Sequence, residues 1–259
     1  MAGLGQDGSR SVFLTAEWRH LAMLSFEVDP AVVRPLVPAG TELDDWRGRT
    51  FVSLVGFLFL NTRILGIGIP LHRDFEEVNL RFYVRRRTTE GWRRAVVFVK
   101  ELVPRTAIAM AARVFYGENY VALPMNHHVA VTGEGAGAVR QVSYRWWFEG
   151  RPNEIRVTAR GEAAEIADGS ESEFITEHYW GYAHQRRGST LESSGRAPAL
   201  ARVDGTRGPR RVRHHARLYG ERFARYPERT AGLGIPGRWV GSQGLQGSAA
   251  SRRRAKDNG

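Results

Sequence analysis

Hydrophobic and polar residues alternate with a period of two along several segments of this chain. In residues 75–84, FEEVNLRFYV, the even positions from Val78 to Val84 are apolar, and the odd positions carry Glu77, Asn79, Arg81 and Tyr83. Successive side chains of a strand point to opposite faces. The pattern therefore predicts a strand with one apolar and one polar face.

Similar patterns predict six more strands, and other local sequence signals indicate three short helices. The strands are expected at 20–28, 50–60, 95–103, 120–131, 139–150 and 154–160. A helix at 29–38 has Asp29 as its N-cap and Pro30 in its first turn. Further helices are expected at 106–117, between Thr106 and Gly117, and at 170–183.

This element order predicts an α+β fold rather than a doubly wound one, because strands and helices do not alternate regularly. Many two-faced strands favour a curved, mainly antiparallel sheet that closes into a barrel or cone, whose polar faces line an interior. We expect one such domain at residues 16–192, after a disordered N-terminus at 1–15.

The net charge of +11 is confined to the end of the chain. Residues 1–192 hold equal numbers of basic and acidic residues, whereas 193–259 hold 15 basic and four acidic ones and are rich in Gly, Ser and Arg. We expect a basic tail of low order there. This location makes a nucleic-acid partner the weaker interpretation, and binding through the tail remains an alternative.

The sequence also excludes several classes of chemistry. It has no cysteine, no apolar run long enough to span a bilayer and no signal-peptide pattern, so we expect a cytoplasmic protein without a membrane partner. His127 and His128 would point to opposite faces of a strand, and His178 and His184 are not at an i, i+4 spacing. We expect neither a metal nor a cofactor; a homo-oligomer is left open.

The polar positions of 75–84 have two interpretations. Periodicity alone favours a solvated strand surface. The alternative is a pocket floor, in which Arg81 binds a small polar or carboxylate ligand and Glu77 orients it. Lys100, one of only two lysines in the chain, is a further candidate because a desolvated amine can form a Schiff base; it also fits an ordinary strand-end charge beside Glu101.

Four blocks of sequence resemble a known family. WRHLAMLSFEVDPAVVRPLVPAGTELDDWRGRTFVSLVGFLF, FEEVNLRFYVRR, YGENYVALPM and FITEHYWGY are similar to the uncharacterised bacterial YqjF-like family over residues 16–192. That family resembles the acetoacetate decarboxylase superfamily. The resemblance implies a cone-like β-barrel around a cavity, with Glu77 at the position of a cavity glutamate, and it favours the pocket interpretation.

The resemblance also shows two departures. True acetoacetate decarboxylases carry a catalytic lysine soon after a segment similar to RVFYG, whereas here ENYVALPM follows and contains no lysine. Family members continue into an H-P-x-W motif that is absent here. Codons chosen for GRAPAL and for LGIPGRWVGSQGLQG, read one base later, restore family-like sequence. The tail is therefore interpreted as partly frame-shifted, which the nucleotide sequence of the gene tests.

Together these observations favour a protein that binds a small carboxylate or carbonyl ligand in a barrel cavity. The candidate binding residues are Glu77, Asn79, Arg81 and Lys100. An enzyme acting on a small oxo-acid without the usual Schiff-base lysine is the alternative.

Overall fold

The computed structural model describes most of the chain between residues 14 and 207 and shorter pieces beyond. The described residues are 14–64, 66–68, 70, 73–106, 108, 119–160, 166–178, 180–184, 190–194, 201–207, 218–219, 223, 238–241, 245–248 and 253–254.

Fifteen strands and a few short helices form this part of the chain. The strands are β1 (Leu14–Val28), β2 (Glu42–Leu43), β3 (Thr50–Ile64), β4 (Phe75–Thr88), β5 (Gly91–Val103), β6 (Tyr120–Ala122), β7 (Met125–Thr132), β8 (Val139–Phe148), β9 (Arg151–Arg160), β10 (Trp180–His184), β11 (Thr190–Ser194), β12 (Ala201–Arg207), β13 (Arg238–Gly241), β14 (Leu245–Ser248) and β15 (Arg253–Arg254). The helices are α1 (Pro30–Val33), α2 (Glu171–Thr176) and two 3-10 turns, Arg34–Leu36 and Gly135–Gly137.

The strands form one mainly antiparallel sheet, which confirms the predicted α+β class. Its order is β15-β11-β10-β5-β4-β3-β1-β13-β12-β9-β8-β7, with β2, β6 and β14 paired at its sides. Two pairings are parallel, those of β5 with β6 and with β10. Within the described residues, no pairing joins β7 to β15, so the sheet is not seen to close into a barrel.

The first predicted helix begins as its sequence indicates. Asp29 has an extended backbone, and its carboxylate accepts a hydrogen bond from the backbone N–H of Ala31 at 2.8 Å. Pro30 occupies the first helical position, where its missing N–H costs nothing. After one turn, the chain tightens into the 3-10 turn.

The third predicted helix is shorter than expected, and this is a correction. Ser170 caps α2 by accepting a hydrogen bond from the N–H of Glu173 at 3.2 Å, but the helix ends at Thr176. At Glu177 the backbone leaves the helical region, and β10 then pairs in parallel with β5. Of the helix expected at 106–117, Thr106 and Ile108 are helical, and the remainder lies outside the described residues.

The strand expected at 120–131 is two strands, which is a second correction. Pro124 lacks an N–H and interrupts the ladder between β6 and β7. Its carbonyl accepts a hydrogen bond from Trp147 N at 3.0 Å. As a result, β6 pairs with β5 and β7 pairs with β8.

Apolar residues cover both faces of β4. On one face, Val78, Leu80, Phe82 and Val84 pack in a core that also contains residues of β8 and β9, including Tyr144 and Trp146. On the other face, Tyr83 packs in a second core with Phe51, Phe174 and Ile175. The part of β4 from residue 75 to residue 84 therefore lies inside the protein rather than on its surface.

Residues beyond 192 contribute to the sheet as well. Strands β12 to β15 were not among the predicted elements, and β13 lies between β1 and β12. Leu218, Tyr219 and Phe223 are buried in the first core. The domain division at residue 192 and the frame shift stay predictions. No helix in the described residues is long and apolar enough to cross a membrane.

Candidate functional site

The polar positions of β4 lie inside the protein. We call Glu77, Asn79, Arg81 and Tyr83 the polar row. Glu77 and Asn79 are each 2% exposed, Tyr83 is 1% exposed, and Arg81 is half-buried. Polar groups withdrawn from water to this extent need partners inside the protein or in a ligand. The structure thus does not show the solvated surface that periodicity alone favoured.

Glu77 is a buried carboxyl with two hydrogen-bond donors. Asn79 Nδ2 donates to its Oε1 at 3.0 Å, and the hydroxyl of Tyr120 donates to its Oε2 at 3.1 Å. Burial raises the pKa of Glu77 to about 7, although the hydrogen bonds from Asn79 and Tyr120 act to lower it. Both protonation states are therefore accessible near neutral pH.

Asn79 uses only its donor side. Its Nδ2 bonds to Glu77, while its Oδ1 is buried and has no hydrogen-bond partner among the described residues. A buried acceptor without a partner costs about 1–3 kcal/mol, so native proteins contain few of them. This oxygen is available to a ligand that can donate a hydrogen bond.

The positive charge of Arg81 has no acidic partner close to it among the described residues. Its Nη2 donates to the backbone carbonyl of Ile175 at 3.5 Å, and its Cζ lies 5.9 Å from the centre of the Tyr83 ring. Within the described part of the chain, Arg81 forms no ion pair, and its buried Nε–H has no acceptor. A partly desolvated guanidinium without a carboxylate is a natural anion site.

Lys100 is not brought together with the other three predicted residues. It is in register with Leu80, whereas its neighbour Glu101 is in register with Asn79. Lys100 therefore lies on the apolar face of β4, and the 2% exposed Glu101 lies on the face of the polar row. The irregularity that follows Leu80 in the β4–β5 register adds a residue to β5, and alternation alone did not reveal it.

A second buried cluster beside the polar row was missed by the sequence analysis. Asp44 accepts hydrogen bonds at one oxygen, Oδ2, from Arg94 Nε at 2.8 Å and from His178 Nε2 at 3.1 Å. Asp44 and His178 are 134 residues apart, so no local spacing could have shown their contact. The His178 ring is 4.7 Å from the ring of Tyr83, which places the cluster against the polar row.

The charges in this cluster are set by burial and by the hydrogen bonds. Burial acts to raise the pKa of Asp44, but the bonds from His178 and Arg94 outweigh it and hold that pKa below its usual value. Burial lowers the pKa of His178 to about 4, although the bond to Asp44 opposes this. At neutral pH, Asp44 is therefore ionised and His178 is neutral.

Hydroxyl groups continue this polar region across the sheet. Tyr83 OH and Ser53 Oγ share a hydrogen bond of 2.5 Å, and Ser53 Oγ shares another of 2.8 Å with Ser25 Oγ. The three residues belong to β4, β3 and β1. These hydrogen bonds hold the Tyr83 hydroxyl in place. The Tyr83 ring in turn contacts both Arg81 and His178.

His127 of β7 makes a different contact. His127 Nδ1 lies 3.2 Å from Glu76 Oε2 on the apolar face of β4. Among the described residues, no three His, Asp or Glu side chains are close enough together to hold a metal ion.

Comparison with known proteins places the chain in a family. The profile of DUF2071, described as an uncharacterized conserved protein, matches residues 15–199. The chain belongs to the DUF2071 family. The uncharacterized protein YqjF of Bacillus subtilis (strain 168) is 35% identical to this DUF2071 protein over 75 residues, which are 29% of this chain and 31% of YqjF. The predicted YqjF-like resemblance is confirmed.

Solved structures show the fold. The enduracididine biosynthesis enzyme MppR in complex with pyruvate has a TM-score of 0.63 and 11% identity, over 96% of this chain and 93% of its own. An acetoacetate decarboxylase-like enzyme from Sphingomonas wittichii RW1 has a TM-score of 0.56 and 14% identity, over 98% of this chain and 99% of its own. The acetoacetate decarboxylase of Legionella pneumophila has a TM-score of 0.57 and 9% identity, over 98% of this chain and 92% of its own. This DUF2071 protein therefore has an acetoacetate decarboxylase-like fold.

Proposed function

We propose that this protein binds a small organic carboxylate or carbonyl compound against the polar row of β4. Arg81 anchors the acid group, and Asn79 and Glu77 contact the rest of the ligand. The remaining strands enclose this region as a cone-like barrel around the ligand. Lys100, on the other face of β4, takes no part.

The observation that carries the proposal is the state of Arg81. Within the described residues, its guanidinium has one long hydrogen bond, no carboxylate partner and a buried Nε–H without an acceptor. A charge in such surroundings is costly unless it is paired. A ligand carboxylate supplies both the missing charge and the missing acceptor in one bidentate contact.

The fold neighbours support a small-acid ligand. MppR has been solved in complex with pyruvate, with HEPES buffer and with the condensation product of pyruvate and imidazole 4-carboxaldehyde. Those ligands belong to MppR; the proposal for this chain is that a compound of similar size and charge binds at Arg81. Action as an enzyme on an oxo-acid, and binding of nucleic acid through the basic tail, stay predictions.

Replacing Arg81 by Gln should abolish the stabilisation of the protein by small carboxylic acids. A ligand at 100 times its Kd stabilises the folded state by about 2.7 kcal/mol, which raises the Tm of a chain of this size by roughly 5–10 °C. Thermal melts at pH 7.5 with pyruvate, lactate and acetoacetate should show this rise for the wild type and not for Arg81→Gln.

The matched control is Arg87→Gln, because Arg87 belongs to the same strand but is exposed. It should respond to the acids as the wild type does. An Arg81→Gln protein that is still stabilised to the wild-type extent by the same acids would contradict the proposal, as would a wild type that responds to none of them.

A further inference from the structure

Three buried polar atoms without partners lie along one side of β4. They are Asn79 Oδ1, Arg81 Nε and His178 Nδ1, and none has a hydrogen-bond partner among the described residues. Asn79 precedes Arg81 by two strand positions, about 7 Å. The Tyr83 ring is 5.9 Å from Arg81 Cζ and 4.7 Å from the His178 ring. The Tyr83 ring thus contacts both Arg81 and His178, and Asn79 lies on the other side of Arg81 along β4.

The proton of His178 is fixed on Nε2. An ionised carboxylate can only accept hydrogen bonds, so His178 Nε2 must donate to Asp44 Oδ2 at 3.1 Å. Arg94 bonds to the same oxygen at 2.8 Å and keeps Asp44 charged. A neutral imidazole with its proton on Nε2 has a lone pair on Nδ1, which is therefore an acceptor.

His178 is not protonated on Nδ1 at neutral pH, so Nδ1 stays an acceptor that lacks a donor among the described residues. Within the described part of the chain, the charged groups that face its ring are Asp44, Arg94 and Arg81, and the aromatic rings of Tyr83 and Phe174 pack against it. Burial and the two arginines keep the pKa of His178 low, at about 4. Nδ1 therefore requires a donor from outside the described side chains.

The ligand chemistry follows from this set of groups. Arg81 requires an anionic acceptor, whereas Asn79 Oδ1 and His178 Nδ1 both require donors. An oxo-acid offers acceptors only, and a hydroxy acid offers a carboxylate together with a hydroxyl donor. Leaving a buried acceptor unpaired penalises the ligand that lacks the donor.

We infer that the site selects hydroxy carboxylic acids over the corresponding oxo-acids, and that His178, held by Asp44, is the residue that recognises the hydroxyl. The inference rests on the proposed function, since Arg81 must bind the acid group. His178 is a specificity residue here and has no role in anchoring the carboxylate.

Calorimetric titration with matched pairs of acids tests this inference. The probes are lactate against pyruvate and malate against oxaloacetate, at pH 7.5, with the wild type, His178→Phe and the control His127→Phe. The wild type should bind each hydroxy acid about tenfold more tightly than its oxo-acid, as expected for one hydrogen bond. In His178→Phe the two acids of a pair should bind alike, with oxo-acid affinity unchanged.

The possible outcomes separate the inference from the proposed function. Equal binding of both acids to the wild type overturns the hydroxyl preference and leaves the proposed function standing. No binding of any acid overturns both. A preference that persists in His178→Phe removes His178 from the account. His127→Phe should match the wild type, because His127 contacts Glu76 on the other face of β4.

A measurement on the wild type covers the case in which His178→Phe does not fold. In protein labelled with 15N-histidine, the Nδ1 resonance of His178 should move on addition of lactate and stay in place on addition of pyruvate. A resonance that moves equally with both acids, or with alanine as much as with lactate, contradicts recognition of a hydroxyl.

Discussion

Replacing Glu77 by Gln should stabilise the protein in a pH-dependent manner, by about 3 kcal/mol more at pH 7.5 than at pH 4.5. The folded-state pKa of Glu77 is about 7, against 4.5 for the free group. Between these values the folded state holds a proton that the unfolded state has lost, so the free energy of unfolding falls as pH rises, by up to about 1.4 kcal/mol per pH unit. Glutamine has no such proton to lose.

His178 changes the free energy of unfolding with pH in the opposite direction, over much of the same pH range. Its folded-state pKa of about 4 is below the ordinary value of 6.5, so between them only the unfolded state is protonated. Its contribution to the free energy of unfolding therefore rises with pH. In the wild type the two slopes offset each other from about pH 4.5 to 6.5, and Glu77→Gln exposes the rise due to His178.

Urea denaturation at four pH values between 4.5 and 7.5 measures both effects. Glu90→Gln is the control, because the Glu90 side chain is 85% exposed and its replacement should leave the pH profile of the wild type unchanged. A difference between Glu77→Gln and wild type that is independent of pH would show that Glu77 has no raised pKa.

The second large effect is expected at Gly56, where β3 touches β8. A Cβ at this position would lie 2.9 Å from Cγ of the fully buried Tyr144 ring. The ring cannot easily move, because the Tyr144 hydroxyl donates to the backbone carbonyl of His20 at 2.7 Å. Overpacking a core usually costs 1–3 kcal/mol, and we expect Gly56→Ala to destabilise the protein by about 3 kcal/mol.

A double-mutant cycle identifies the cause. In a Tyr144→Ala background, Gly56→Ala should cost less than about 0.5 kcal/mol, because the clashing ring is gone. Gly137→Ala is the control, since a Cβ there meets nothing within 4 Å. Equal costs of Gly56→Ala in both backgrounds would mean that the Tyr144 ring is not the obstacle.

Local patterns predicted β1, β3, β4, β5, β8 and β9 and the start of α1, because those depend on neighbouring residues. The alternation at 75–84 located β4, and the Asp29–Pro30 pair located α1. The same alternation could not show that Glu77 and Asn79 are buried, since a polar face looks alike whether it meets water or a second core. The family resemblance, not the period, favoured the interior.

What the sequence analysis missed depends on contacts between distant segments. Lys100 was predicted to be a binding residue together with Glu77, Asn79 and Arg81, but the irregular register between β4 and β5 determines its face. Asp44, Arg94 and His178 come from three separate parts of the chain and meet only in the folded sheet. The early end of α2 and the strands beyond residue 192 likewise depend on pairing partners that no local pattern shows.

The most direct test of the account is an NMR titration of arginine side chains. In protein labelled with 15N-arginine, the Nε–H resonance of Arg81 is identified by its loss in Arg81→Gln. Because this N–H has no acceptor among the described residues, it should shift progressively and saturably as lactate is added, while that of Arg87 stays in place. An Arg81 resonance that stays unchanged while lactate raises the Tm would show that the acid binds elsewhere and would contradict the account.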